Sequence, residues 1–180
     1  YDDFMSKKML IIGGSVRQEE SKSNFIVDVI EERALDLGVK PVIWKLGYKP
    51  LPLAQHAWHK NPSLSNDGNV EGLAVAIAEA EVVCLVSPIY NGSYTGVLKN
   101  ALDCMLGDAL EGKQVVLVGV GSGSTALLPC VHLQDVARTM GGEVYHRFAV
   151  VTSNDLDFEQ KTVDEAMTRR FSEIIDAVTT

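Results

Sequence analysis

The feature that most constrains this chain is a regular alternation of short apolar runs with longer helical patterns. Each of five runs has strand character, and each is followed by a segment in which apolar residues recur at helical spacing. The runs are 8–13, 40–46, 82–87, 114–119 and 144–151. They are nearly continuous in apolar residues, as is typical of parallel strands covered on both faces. The alternation predicts a three-layer, doubly wound α/β domain.

The helical patterns carry their own start and stop signals. They cover about 23–37, 70–80, 97–106, 126–140 and a final segment that begins near residue 157. Gly38 follows the first pattern, as glycine often does after a helix end. Asp157 and Gln160 resemble a capping box, so the last helix is predicted to start there. Five parallel strands with this alternation favour the flavodoxin-like strand order 2-1-3-4-5.

A single domain is predicted for residues 1–180, because 46% hydrophobic and 22% charged residues form an ordinary globular composition. Residues 1–5 are expected to be a tag remnant or disordered, with Met5 as the natural start. The net charge of −8 argues against a nucleic-acid partner, which needs a basic surface. No apolar run approaches the roughly 20 residues of a membrane span, so no membrane partner is expected. Three cysteines without CxxC spacing fit a reducing, cytoplasmic setting.

Three unusual loops are predicted to meet at one edge of the sheet. Ligands of open α/β sheets bind outside the carboxyl ends of the strands, where the strand order reverses. The loops after the first, third and fourth strands read GGSVRQEESKSN, SPIYNGSYTG and GVGSGST. The glycines and serines of the last loop suit either a close approach of backbone to a ligand or a flexible turn.

The first loop has the composition of a phosphate site. Ser15, Ser21, Ser23 and Asn24 supply polar groups at a predicted helix N-terminus, and Arg17 supplies a planar, charged fork. The loop contains neither a P-loop nor a dinucleotide fingerprint. The alternative is a solvated loop in which Ser23 is a plain helix cap.

The second loop has the composition of a site for a flat, polar-edged ring. Pro88 and Gly92 can shape the backbone, Ile89 and Tyr90 can wall a ring, and Asn91 can hold the turn or donate to a ring oxygen. The alternative is a turn that caps the next helix, with the tyrosines on the surface.

These loops resemble the NAD(P)H-dependent FMN reductase family, whose fold is flavodoxin-like. The family pattern GSxRxxSxN matches Gly14-Ser15-Val16-Arg17 with the later serines and Asn24. The pattern PxYNxSxPGxLKNxxD matches the whole run from Pro88 to Asp103. This chain departs in two ways: the first loop is about one residue longer after Arg17, and Thr95 stands where proline is usual.

The resemblance implies FMN as cofactor and NAD(P)H as electron donor, in a homodimer or homotetramer that completes the pocket. It implies phosphate binding by the first loop and contact with the isoalloxazine ring by the other two. The implied cofactor-binding residues are Ser15, Arg17, Ser21, Ser23, Asn24, Pro88, Ile89, Tyr90, Asn91, Gly92, Gly121 and Ser122.

The expected activity is hydride transfer from NAD(P)H to FMN and electron transfer onward to a flavin, quinone or other acceptor. No catalytic side chain and no metal site are expected, although His56 and His59 share a loop. The alternatives are a flavodoxin-type electron carrier that does not oxidise NAD(P)H and a regulatory domain without flavin. The final acceptor and the choice between NADH and NADPH stay open.

Overall fold

The structure is a computed structural model that describes residues 7–180. Residues 1–5, for which a tag remnant or disorder was expected, lie outside that range. The strands are β1 (Met9–Gly13), β2 (Val42–Lys45), β3 (Val82–Pro88), β4 (Gln114–Val120), β5 (Glu143–Val144), β6 (Ala149–Val151), β7 (Leu156–Asp157) and β8 (Thr162–Val163). The α-helices are α1 (Lys22–Asp36), α2 (Gly68–Glu79), α3 (Gly96–Asp103), α4 (Leu128–Thr139) and α5 (Glu165–Thr179). Short 3₁₀ helices cover Pro62–Ser65 and Ser124–Leu127.

The predicted fold class is confirmed. The main sheet is parallel with the order β2-β1-β3-β4-β5. Helices α1 and α5 cover one face, and α2, α3 and α4 cover the other. Every residue of β1 is buried, which explains its unbroken apolar run. No helix within residues 7–180 has the length and apolar character that crossing a membrane requires.

The fifth strand is shorter than the sequence predicts. β5 pairs with the start of β4, and β6 pairs with its end, so residues 145–148 interrupt the predicted run 144–151. The Phe148 carbonyl at this break accepts hydrogen bonds from Arg170 Nε (3.1 Å) and Nη2 (2.5 Å) on α5. The arginine therefore satisfies a backbone group that a continuous strand would have paired.

The last helix does not begin near Asp157, so that prediction is wrong. Asp157 Oδ1 accepts from the backbone N–H groups of Glu159 and Gln160, both at 3.0 Å, and closes the turn of the β7–β8 hairpin. Helix α5 begins later, where Asp164 Oδ1 caps the N–H of Met167 at 2.7 Å. The same aspartate pattern suits a turn and a helix cap, because both present unpaired N–H groups two or three residues on.

Candidate cofactor site

A cleft of about 810 Å³ lies at the carboxyl ends of β1, β3 and β4. Its volume is within the range of small-molecule and cofactor sites. The three loops singled out in the sequence line it together with the turn of the β7–β8 hairpin. The lining residues are Ser15, Arg17, Glu20, Ser21, Lys22, Ser23, Pro88, Ile89, Tyr90, Val120, Gly121, Ser122, Phe158, Glu159 and Lys161. The convergence expected from the strand order is therefore present.

Three buried hydroxyls form one end of the cleft. Ser21 Oγ donates to Ser15 Oγ at 2.9 Å and lies 3.2 Å from Ser23 Oγ. Ser15 Oγ also accepts from the N–H of Arg17 at 3.0 Å. The three serines are buried, and the cap of α1 is Ser21 rather than Ser23, since Ser21 Oγ accepts from the N–H of Asn24. Buried hydroxyls at a helix N-terminus are the donors that an anion such as phosphate requires.

The charged side chains that line the cleft have mixed sign. Arg17 Nη2 lies 3.4 Å from Glu20 Oε2, and more than half of each side chain is exposed. Lys22 and Lys161 contribute two further cations to the lining, and Glu159 contributes a second carboxylate. The lining of the cleft therefore carries a net charge of about +1 from these side chains.

The second loop is a tight turn of four residues. The N–H of Tyr90 donates to the Ser93 carbonyl at 2.9 Å, and the N–H of Ser93 donates back at 3.1 Å. Asn91 and Gly92 occupy the two central positions with φ values of 49° and 79°. An Asn-Gly pair suits such a turn, because both residues tolerate positive φ. Asn91 and Gly92 thus form the tip of the turn, and Tyr90 faces the cleft.

Thr95 ties the second loop to the first. Its side chain is fully buried, and its hydroxyl donates to the Gly14 carbonyl at 2.6 Å. The same oxygen accepts from the N–H of Leu98 as the cap of α3, at 3.3 Å. The N–H of Thr95 donates to Ser87 Oγ at 3.1 Å. The proline usual at this position has neither a hydroxyl nor an N–H, so it makes none of these bonds.

The third loop closes against the second. The N–H of Ile89 donates to the Val120 carbonyl at 2.9 Å. A Cβ added to Gly121 would lie 2.9 Å from Ile89 Cγ2, which is closer than packed atoms approach. Glycine at this position therefore lets the two loops touch along the wall of the cleft. Ser122 follows and also lines the cleft.

Most of the residues expected to bind the cofactor line one cleft, and three do not. Asn91 and Gly92 form the turn described above. Asn24 lies behind the first loop, where its Nδ2 donates to the carbonyls of Arg17 (2.8 Å) and Gln18 (3.3 Å). Asn24 therefore shapes the loop, and Asn24 Oδ1 is buried without a hydrogen-bond partner among residues 7–180.

The hairpin turn supplies lining residues that the sequence did not suggest. Phe158 packs edge-on against Phe25 with ring centroids 6.2 Å apart, and Lys161 Nζ lies 3.3 Å from the centroid of Phe158. These residues follow the last strand by several positions, and their segment resembled the start of a helix. The signal that could have found this loop is Asp157 itself, because an aspartate that accepts from N–H groups two and three residues on also suits a turn.

The cysteines are unsuited to nucleophilic catalysis. Burial raises the pKa of Cys104 to about 11 and that of Cys130 to about 12, and it raises the pKa of Cys84 further. All three are free thiols in the described chain, and none lines the cleft. Protonated, buried thiols are poor nucleophiles at neutral pH.

Comparison with known proteins identifies the family. The model of the NADPH-dependent FMN reductase family matches residues 7–157. An FMN-dependent NADPH-azoreductase of Staphylococcus saprophyticus is 31% identical over 156 residues, which cover 85% of this chain and 80% of the relative. A protein of the same name from Staphylococcus aureus is 30% identical over 76% of this chain and 71% of its own length.

Solved structures support the fold. The apo form of the NADH:FMN oxidoreductase EmoB superposes with a TM-score of 0.75 at 20% identity, covering 96% of this chain and 88% of that one. FerB, an NAD(P)H:(acceptor) oxidoreductase of Paracoccus denitrificans, gives a TM-score of 0.76 at 21% identity and covers 96% and 95% of the two chains. At such identities the likeness concerns the fold. The family match and the azoreductase relatives confirm the resemblance that the two loop motifs indicated. The chain belongs to the NADPH-dependent FMN reductase family.

Proposed function

We propose that this NAD(P)H-dependent FMN reductase binds FMN in the cleft at the carboxyl ends of β1, β3 and β4. The observation that carries the placement is the buried cluster of Ser15, Ser21 and Ser23 at the N-terminus of α1. Hydroxyls, helix N–H groups and a nearby guanidinium form a donor set suited to one phosphate monoester. The residues present therefore fit the phosphate end of FMN.

The flat ring is assigned to the other end of the cleft. Pro88, Ile89 and Tyr90 supply the wall there, and Gly121 with Ser122 supplies the backbone that adjoins it. FMN, when bound, supplies the chemistry of accepting a hydride and passing electrons on. The chain itself holds the phosphate, orients the ring and excludes water from one side of it. Asn24 and Thr95 do not line the cleft, but they hold its first loop in place by donating to the carbonyls of Arg17 and Gly14.

Anaerobic reduction of the FMN-loaded protein separates this function from that of an electron carrier. We expect NADPH or NADH to bleach the visible absorbance of the loaded protein in a stopped-flow instrument before any acceptor is added. An electron carrier of the same fold binds the flavin but lacks a site for the nicotinamide donor. If both nucleotides leave the loaded protein oxidised for minutes, the electron-carrier function is correct.

The acceptor is proposed from the relatives. The staphylococcal relatives are named azoreductases, which makes an azo compound the first acceptor to assay with the reduced protein. The NADPH in their names likewise makes NADPH the first donor to test. Steady-state rates with an azo dye, a quinone and free flavin, each with NADPH and NADH, decide between these substrates.

The protein is further proposed to work in a reducing compartment and to associate with copies of itself. Free, buried thiols suit the cytoplasm, where disulfides are rare. A homodimer or homotetramer is expected from the family resemblance. Light scattering coupled to size-exclusion chromatography measures the assembly, and a monomer with full FMN affinity would contradict a pocket completed by a partner.

Arg17→Ala is expected to raise the Kd for FMN by about 10-fold. A charged hydrogen bond contributes about 1.5–3 kcal/mol, and the lower end applies because the guanidinium is more than half exposed. Fluorescence titration with FMN measures the change. Arg169→Ala is the matched control, since Arg169 is also exposed and lies 3.8 Å from a carboxylate but sits on α5 outside the cleft lining. An unchanged Kd in Arg17→Ala would remove Arg17 from the phosphate site.

A further inference from the structure

Glu20 has an unusual backbone conformation at the phosphate end of the cleft. It immediately precedes Ser21, the cap of α1, and its φ is 48°, in the left-handed region. Few residues other than glycine adopt this conformation, and such residues cluster at functional sites. The first loop is also about one residue longer here than the family pattern. The Glu20 carboxylate lines the same cleft as the serine cluster.

The Glu20 carboxylate is paired with the Arg17 guanidinium, the positive group that a phosphate would bind. Arg17 Nη2 lies 3.4 Å from Glu20 Oε2, and both side chains line the cleft that contains Ser15 and Ser21. A guanidinium N–H that points at a carboxylate is not free to point at a phosphate oxygen. The carboxylate and a phosphate are also both anions, so their proximity is unfavourable.

The other charged side chains of the cleft leave its net positive charge small, so the Glu20 carboxylate has a large share in it. Three cations and two carboxylates line the cleft: Arg17, Lys22, Lys161, Glu20 and Glu159. Lys161 Nζ lies over the ring of Phe158, which holds its charge at the hairpin side. Removing one carboxylate therefore doubles the net positive charge of the lining from one to two.

We propose that Glu20 competes with the FMN phosphate for Arg17 and thereby keeps the cofactor exchangeable. This inference rests on the proposed function, because it needs the phosphate to lie at the serine cluster. Bound FMN then competes with the carboxylate for the guanidinium N–H groups that face Glu20. Glu20 thus sets how tightly the protein holds FMN, and the ring end of the cleft is unaffected.

Glu20→Gln tests the competition without changing side-chain length. We expect the Kd for FMN to fall by about 3- to 10-fold, the size of effect that one charge exerts at a solvent-exposed site. The gain should shrink at high salt, since exposed charges are screened. Riboflavin, which has no phosphate, should bind equally well to Glu20→Gln and to the unaltered protein. Fluorescence titrations with both ligands at low and high salt provide the Kd values for each protein.

Glu19→Gln is the matched control. Glu19 is the neighbouring residue, and its exposed side chain does not line the cleft. Glu19→Gln therefore removes the same charge from the chain at a position outside the cleft. Its Kd for FMN should stay within about 2-fold of the unaltered protein. If Glu20→Gln binds FMN no better than Glu19→Gln, or binds it more weakly, Glu20 does not compete and the inference is overturned. A third result concerns the proposed function instead: if the unaltered protein binds riboflavin as tightly as FMN, the serine cluster is not the phosphate site, and both proposals fall.

Discussion

Gly119→Ala is expected to lower the free energy of unfolding by about 3 kcal/mol, which corresponds to a fall in Tm of roughly 6–12 °C. A Cβ at this position would lie 2.0 Å from the carbonyl oxygen of Ala126 and 3.2 Å from Cys130 Sγ. Both neighbours are buried, and the closer atom belongs to the backbone, so it cannot rotate away. The chain must therefore displace the 3₁₀ helix Ser124–Leu127 from the end of β4.

The same displacement should weaken FMN binding, because residues 121 and 122 lie between the end of β4 and that 3₁₀ helix. Thermal unfolding followed by circular dichroism measures the stability, and FMN titration measures the binding. Gly123→Ala is the matched control: it lies in the same loop, has an extended backbone with φ of −159°, and has no atom within 4 Å of its added Cβ. Equal Tm values for the two variants would show that β4 and the 3₁₀ helix can separate at little cost.

The centre of the sheet could be predicted because β1, β3 and β4 are apolar and buried along nearly their whole length. Ile11 of β1 packs into the core on one face of the sheet, and Val83 of β3 packs into the core on the other face. A strand covered on both faces is recognised by its continuous apolar run alone. The strand order then fixed which loops meet. The break in the fifth strand could not be predicted, since the group that satisfies the Phe148 carbonyl there is Arg170, which lies more than 20 positions further along the chain.

The loops at the site were predictable to the extent that their side chains act locally. The Ser15–Ser21 contact spans six positions, and the Asn91-Gly92 turn is local. The hairpin side of the cleft was not predictable, because Phe158 reaches it by packing against Phe25 on α1. Residues that shape the site from behind, such as Asn24, look in the sequence like residues that touch the ligand.

Thr95 is the departure from the family pattern with the clearest structural consequence. A proline at this position has no hydroxyl, so it could neither donate to the Gly14 carbonyl nor accept from the N–H of Leu98. Thr95 bonds directly to the Gly14 carbonyl, next to Ser15 of the hydroxyl cluster. In this chain the loops after β1 and β3 are therefore joined through one buried hydroxyl.

Thr95→Val is expected to lower the free energy of unfolding by about 2–4 kcal/mol, although valine has nearly the same shape. The loss of the hydroxyl leaves the Gly14 carbonyl and the N–H of Leu98 without their partner at a fully buried position. A freed Gly14 also loosens Ser15, so the Kd for FMN should rise with the loss of stability. Thr95→Ser is the control, because it keeps the oxygen and both bonds, and it should retain most of the stability and the FMN affinity. Chemical unfolding measures the stability of the two variants, and FMN titration measures their affinity. If Thr95→Val binds FMN as tightly as Thr95→Ser, the hydroxyl stabilises the fold alone and does not position the loops that line the cleft.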